Sequence, residues 1–194
     1  MPSKPKTPAL SRRQFVVRVI YGTGALALAG LPSLAQQRVY LSEEQALRVV
    51  FPNADKITKE EKELSPAQTA QIERQLHLRL DQAVQTIYRG ESNSQADGYA
   101  MIVNEIGKEQ PITFIVGITP QLRVRKVALM VFRETRGGEV EDSRFTNQFR
   151  GKGTRDPLQI GSDIIGITGA TLSSRAFCRG TRKVLLICQA VYGK

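Results

Sequence analysis

Val127-Ala128-Leu129-Met130-Val131-Phe132 is apolar at every position. A strand with one face in water alternates apolar and polar residues, so an unbroken run reads as a central strand covered on both faces. Working outward, residues 84–89, 98–106, 111–118 and 122–133 are rich in Val, Ile, Phe and Tyr, which favours strands. Thr119-Pro120 marks a turn between the last two and predicts a hairpin. Gly137-Gly138 breaks the apolar strand. Beyond it, residues 143–150 read as a short helix and Gly151–Gly161 as a loop. The chain closes with a helix from about Ser173 to Tyr192, in which Phe177, Gly180, Val184, Ile187 and Val191 form one stripe.

Upstream of the strands, residues 42–50 predict a helix, with Ser42 as its cap and Gln45 three residues on, as in a capping box. Pro52 and Asn53 end it. Residues 55–63 are charged and read as an exposed strand or loop. A second helix is predicted from Pro66 to about Leu80, with Ser65 as N-cap and Ile72, Leu76 and Leu80 on one face. Helices, then strands, then a final helix give an α+β class: an antiparallel-rich sheet with N-terminal helices and a C-terminal helix packed on it.

The chain has 194 residues and a formal charge of +10. Residues 1–35 hold Lys4, Lys6, Arg12, Arg13 and Arg18 and no acid, which leaves +5 for residues 36–194. That excess is modest and dispersed, so nucleic acid is not the expected partner; a mildly basic face toward acidic partners or lipid head groups is. Cys178 and Cys188 lie in one predicted helix, roughly 15 Å apart along its axis, too far for a disulfide. They read as small buried apolar residues. His77 is the only histidine and has no cysteine or carboxylate cluster around it in sequence, so neither a metal site nor a histidine-based triad is expected.

Residues 1–35 read as an address rather than as part of the fold. Ser11-Arg12-Arg13-Gln14-Phe15 precedes a moderately apolar run from Val19 to Ala29, then Pro32, and Ser33-Leu34-Ala35 resembles a signal-peptidase site before Gln36. The paired arginines resemble the twin-arginine signal. That implies export of a folded protein to the periplasm or another extracytoplasmic space, membrane-anchored if the signal is not cleaved. Residues 36–94 would then be the helical and extended first part of the mature domain, and residues 95–194 its core.

Thr168-Gly169-Ala170-Thr171-Leu172-Ser173-Ser174 stands immediately before the last helix. Two physical readings fit it. In one, Ser173 or Ser174 is the N-cap of an ordinary helix. In the other, free backbone N–H groups and the helix dipole hold an anion, Gly169 and Ala170 let it approach the backbone, and Arg175 in the first turn adds charge-assisted hydrogen bonds.

This stretch resembles the flavinylation motif of the FMN-binding domain family, which includes FMN-carrying subunits of the sodium-pumping NADH:quinone reductase and of the related electron-transport complex. The family pattern is Ser or Thr, Gly, Ala, Thr or Ser, any residue, then Ser or Thr; Thr168, Gly169, Ala170, Thr171 and Ser173 fill it. The resemblance implies that the FMN phosphate is esterified to Thr171 by a separate flavin transferase acting outside the cytoplasm. Phe132-Arg133-Glu134-Thr135-Arg136-Gly137 is similar to the family's Glu-Thr-Pro-Gly element, with Arg136 where Pro is usual. The family commonly has Asp six residues before the modified Thr, and here that residue is Ile165.

The implied activity is that of an electron carrier rather than of an enzyme with its own substrate, exchanging electrons with membrane-bound or periplasmic redox proteins. The implied site comprises Thr171 as attachment point, Thr168, Gly169, Ala170 and Ser173 around the phosphate, Glu134 and Thr135 toward the flavin or its ribityl chain, and Gly137 for turn geometry. Two other readings stay open: a sensory or binding module of the same fold that holds FMN non-covalently or not at all, and an exported basic interaction protein.

Overall fold

The computed structural model describes residues 37–193. The export segment read at residues 1–35 lies outside the described residues. Strands β1 (Arg38–Val39), β2 (Lys56–Glu63), β3 (Val84–Ser92), β4 (Gln95–Ile106), β5 (Pro111–Ile118) and β6 (Val124–Phe132) form one antiparallel sheet in the order β1-β6-β5-β4-β3-β2. Apart from β1, strands that follow one another in the chain lie side by side; β3 to β6 are joined by short turns, and α2 lies in the connection from β2 to β3. Helix α1 (Glu43–Val50) covers one face of the sheet, and α2 (Pro66–Leu76) and α4 (Thr171–Tyr192) cover the other. The short α3 (Ser143–Thr146) sits on the α4 side, where Phe145 and Phe149 meet Phe177. The α+β reading holds, with two helical layers around one sheet.

The predicted apolar run falls in β6, between β1 and β5. Its residues divide between two cores. Val127, Leu129 and Phe132 join the larger one under α4, whereas Met130 joins the smaller one under α1. β5 is buried at every position after Pro111. Phe114 of β5 stacks on Phe177 of α4 with ring centroids 4.2 Å apart. Each such fully buried aromatic contributes about 1.5–3 kcal/mol by leaving water, so this pair pins α4 to the centre of the sheet.

The Thr119-Pro120 hairpin forms as expected, with the Thr119 N–H donating to the Arg123 carbonyl at 2.8 Å. Residues 55–63 are a strand and not a loop: β2 pairs along its whole length with β3 and forms the charged edge of the sheet. A second hairpin joins β3 to β4 at Asn93-Ser94, whose φ values of 51° and 62° suit a tight primed turn; it extends β4 three residues upstream of the predicted start at residue 98. Helix α2 stops at Leu76 rather than Leu80. His77 turns left-handed (φ 54°), the Glu73 carbonyl takes the His77 and Leu78 N–H groups, and the Glu73 carboxylate takes that of Leu80. Among the described residues, no helix is long and apolar enough to cross a membrane.

Candidate functional site

The site lies where the irregular segment 150–170 runs into α4. That segment carries little regular secondary structure, so its shape depends on tethers. Lys152 Nζ lies 2.9 Å from Asp163 Oδ2, and both side chains are largely buried. Asp163 Oδ1 accepts the Gln159 N–H at 2.9 Å. Burial alone would raise the Asp163 pKa, but these N–H bonds and the Lys152 ammonium outweigh it and hold the carboxyl below its ordinary value. Gln148 grips the main chain of Ile165 twice: its Oε1 accepts the Ile165 N–H at 2.8 Å, and its Nε2 donates to the Ile165 carbonyl at 3.1 Å. The Ile165 side chain, 79% exposed, is left projecting from the clamped backbone.

The motif itself is a turn followed by a helix start. The Ala170 N–H donates to the Ile167 carbonyl at 3.0 Å, with Gly169 at φ +83° and no atom within 4 Å of where a Cβ would stand. Helix α4 begins at Thr171, two residues before the predicted start. Its N-cap is Ala170, which makes no side-chain cap bond, so neither Ser173 nor Ser174 caps the helix. The first intrahelical bond runs from the Ser174 N–H to the Ala170 carbonyl at 2.8 Å. By helix geometry the N–H groups of Thr171, Leu172 and Ser173 point out of the helix end.

Ser174, which the sequence offered only as a cap, has a different role. Its fully buried hydroxyl donates to the Ala170 carbonyl at 2.9 Å and accepts the Ile167 N–H at 3.3 Å. One side chain thus closes the loop onto the helix. A buried hydroxyl four residues after a helix N-cap is the sequence signal that could have shown it.

The expected site residues divide by position. Thr168, Gly169 and Thr171 are exposed, while Ala170 and Ser173 are buried. Gly137, at φ +94°, packs on both of the latter: a Cβ there would lie 2.7 Å from Ser173 Oγ and 3.5 Å from Ala170 Cβ. Gly137 therefore supplies more than a turn; its missing side chain lets the loop after β6 touch the motif. Glu134 faces elsewhere. Its Oε1 accepts the N–H groups of Lys108, Glu109 (3.0 Å) and Gln110 (3.3 Å), which uses that oxygen on the β4–β5 turn. Thr135 is exposed beside it. Arg175 is exposed one turn along α4 and lines a groove with Arg179 and Arg182. Thr168 and Thr171 instead line a hollow of about 340 Å³, whose wall includes Ile160, Ile164, Ile165 and Ile167 and bears no charged side chain.

Residues 107–186 match the family model of the FMN-binding domain. Over those residues the chain is similar to an FMN-binding domain. The crystal structure of Shewanella oneidensis NqrC is similar in fold, with a TM-score of 0.53 over 75% of this chain and 85% of that one, at 13% identity. No curated protein matches the chain. The matched residues run from the β4–β5 turn to the fifth turn of α4 and hold every expected site residue.

The residues of this matched region fit FMN, the cofactor that the matched family is named for. A phosphate finds an uncapped helix end, a glycine turn with open space beside it and an exposed hydroxyl at the first helical position. A ring system finds apolar side chains that water already reaches, Ile165 at 79% and Leu172 at 44% exposure.

Proposed function

We propose that this protein is an exported electron carrier whose FMN is esterified through its phosphate to Thr171. The observation that carries the reading is the α4 start: an exposed threonine at the first position of a helix that has no side-chain cap, inside the matched FMN-binding domain. A phosphate held there takes the place of the cap, and the helix dipole favours its charge. The bound FMN would supply reversible electron transfer. The chain's own part is to hold the phosphate at the Thr171–Ser173 amides, to keep the 163–168 segment in place through Gln148 and Ser174, and to offer Ile165 and Leu172 as apolar cover. A flavin transferase outside the cytoplasm makes the ester, and membrane-bound or periplasmic redox proteins exchange the electrons. The resemblance of residues 11–35 to a twin-arginine signal supports that location.

Ile165, where the family commonly has Asp, favours a second reading: FMN held non-covalently, or a sensory module. Intact mass spectrometry of denatured protein, after co-expression with a flavin transferase, separates the two. The expected result is a mass gain of FMN less one water, absent in Thr171→Ala. If no mass is gained while a control protein is modified, the covalent reading fails. Flavin that co-purifies with the native protein and leaves on denaturation would then identify the non-covalent module.

A further inference from the structure

Thr171 stands at the head of one face of α4, and that face continues as Arg175, Cys178, Arg179 and Arg182. Residues three, four and seven apart share a side of a helix, so three guanidinium groups fall on one strip. Leu158, Gln159 and Ile160 form the opposite wall of a groove of about 350 Å³. This size lies within the range of small-ligand pockets, about 300–1,000 Å³.

Arg179 and Arg182 are held, not free to fold away. Arg182 Nη1 donates to the Pro157 carbonyl at 3.0 Å, and Arg179 Nη2 donates to the Ile106 carbonyl at 2.6 Å. Each of these bonds uses one terminal nitrogen and leaves the other terminal nitrogen of that guanidinium. Arg182 Nε is buried without a hydrogen-bond partner among the described residues, so a ligand in the groove would meet the terminal nitrogens of this guanidinium rather than Nε. Arg175 is exposed and has no ion pair among the described residues. The nearby carboxylate, Glu105, is shared between Arg179, at 3.5 Å, and Lys183. The strip therefore keeps a net positive charge. Its floor is Cys178, and burial pushes that thiol up to about 12, so the floor is neutral at ordinary pH.

We propose that this groove is a second binding site, separate from the flavin seat, for an organic phosphate carrying a flat apolar body, the chemistry of a mononucleotide. Guanidinium forks match phosphate oxygens in pairs. The Leu158–Ile160 wall and the Cys178 floor suit a ring. The groove meets the Thr171 hollow at Ile160, which lines both, so a ligand here lies beside the flavin without needing its place. The proposal does not depend on FMN being attached.

The test is calorimetric titration of the full chain carrying Thr171→Ala with AMP, and separately with inorganic phosphate. AMP is expected to bind, and phosphate alone to bind more weakly. Losing one charge-assisted contact in Arg182→Gln or Arg175→Gln should weaken AMP by about tenfold or more, while Arg74→Gln on α2 should leave it unchanged. If Arg182→Gln does not fold, the exposed Arg175 carries the test. Wild-type protein loaded with FMN should still take AMP. No binding of either probe, or equal loss in Arg74→Gln, overturns the proposal. So does competition between FMN and AMP, which would make the groove the flavin's own seat. None of these outcomes bears on the Thr171 ester, which mass spectrometry reads independently.

Discussion

Helices α1 and α2 start in the same way, and α4 starts in another. Ser42 caps α1 and Ser65 caps α2, each with its hydroxyl on the N–H three residues on, and Gln45 and Gln68 reach back to the cap N–H to complete both boxes. At α4 the cap is Ala170 and no side chain answers the end. Yet three hydroxyl residues, Thr168, Thr171 and Ser173, lie within three residues of that cap. On the proposed reading, a protein that caps two helices with serine and leaves its longest uncapped, amid hydroxyls, keeps those amides for a phosphate from outside the chain. A missing local interaction would then mark the site.

The comparison breaks most severely at Ser174, which holds the uncapped end together in place of a cap. Ser174→Ala removes two buried hydrogen bonds and leaves the Ile167 N–H without its partner. The expected cost is about 1–3 kcal/mol, or roughly 2–12 °C in melting temperature for a domain of this size. FMN loading should fall with it, because the 167–170 turn would no longer be held against the helix. A melt of the apo protein and the flavin mass of the loaded protein check the two effects separately. Unchanged loading would show that the turn forms without the serine.

The capped helices sharpen the contrast. Ser42→Ala and Ser65→Ala should each cost about 1 kcal/mol, as lost caps do, with no effect on flavin mass. Thr171→Ala should do the reverse: its exposed hydroxyl makes no cap bond, so the apo melting temperature should stay within experimental error while all covalent flavin is lost. If the apo form of Thr171→Ala melts markedly lower, the hydroxyl has a structural role and the distinction between the two kinds of helix start fails.

This contrast also explains what was legible in the sequence. The α1 capping box and the Ser65 cap were readable because each partner lies within three residues, and the structure adds Gln68 to complete the second box. β5 matched its predicted span of 111–118 because its apolar run is bounded by Pro111 and Thr119. The motif at 168–173 was readable as a pattern, and the structure does gather Gly137, Ala170 and Ser173. What sequence could not show were the long-range tethers. Gln148 lies 17 residues from Ile165, and Glu134 lies 24–26 residues from the amides it accepts. Periodicity carries no information on such pairs. Glu134 was expected toward the flavin from the strand-end element alone, and sequence could not show that one of its carboxylate oxygens also accepts from the β4–β5 turn. Arg175 was expected at the phosphate because it lies in the first turn, but sequence could not show that Arg179, Arg182 and the 158–160 wall turn its surroundings into a separate groove.

The smallest expected effect concerns the same loop and depends on pH. Asp163 is held below its ordinary pKa by the Gln159 amide and Lys152 despite its burial. A carboxyl depressed in the folded state favours that state above its unfolded pKa, and the benefit is lost as pH falls through the folded value. Protonation removes the ion pair to Lys152 and weakens the bond to Gln159, so the 158–164 segment should loosen below about pH 4, while α1 and α2, whose caps are neutral side chains, should stay closed. Amide exchange of the apo protein, taken in steps from neutral pH into acid and corrected for intrinsic rates, should show residues 158–164 losing protection before the first turns of α1 and α2. Asp163→Asn, which keeps an acceptor for the Gln159 N–H but has no charge for Lys152, should show that looser segment already at neutral pH and remove most of its acid dependence. If the segment and the capped helices open together at every pH, the loop is held by the core beneath it, through Leu158 and Ile164, and the tether from Lys152 to Asp163 contributes nothing measurable to the site.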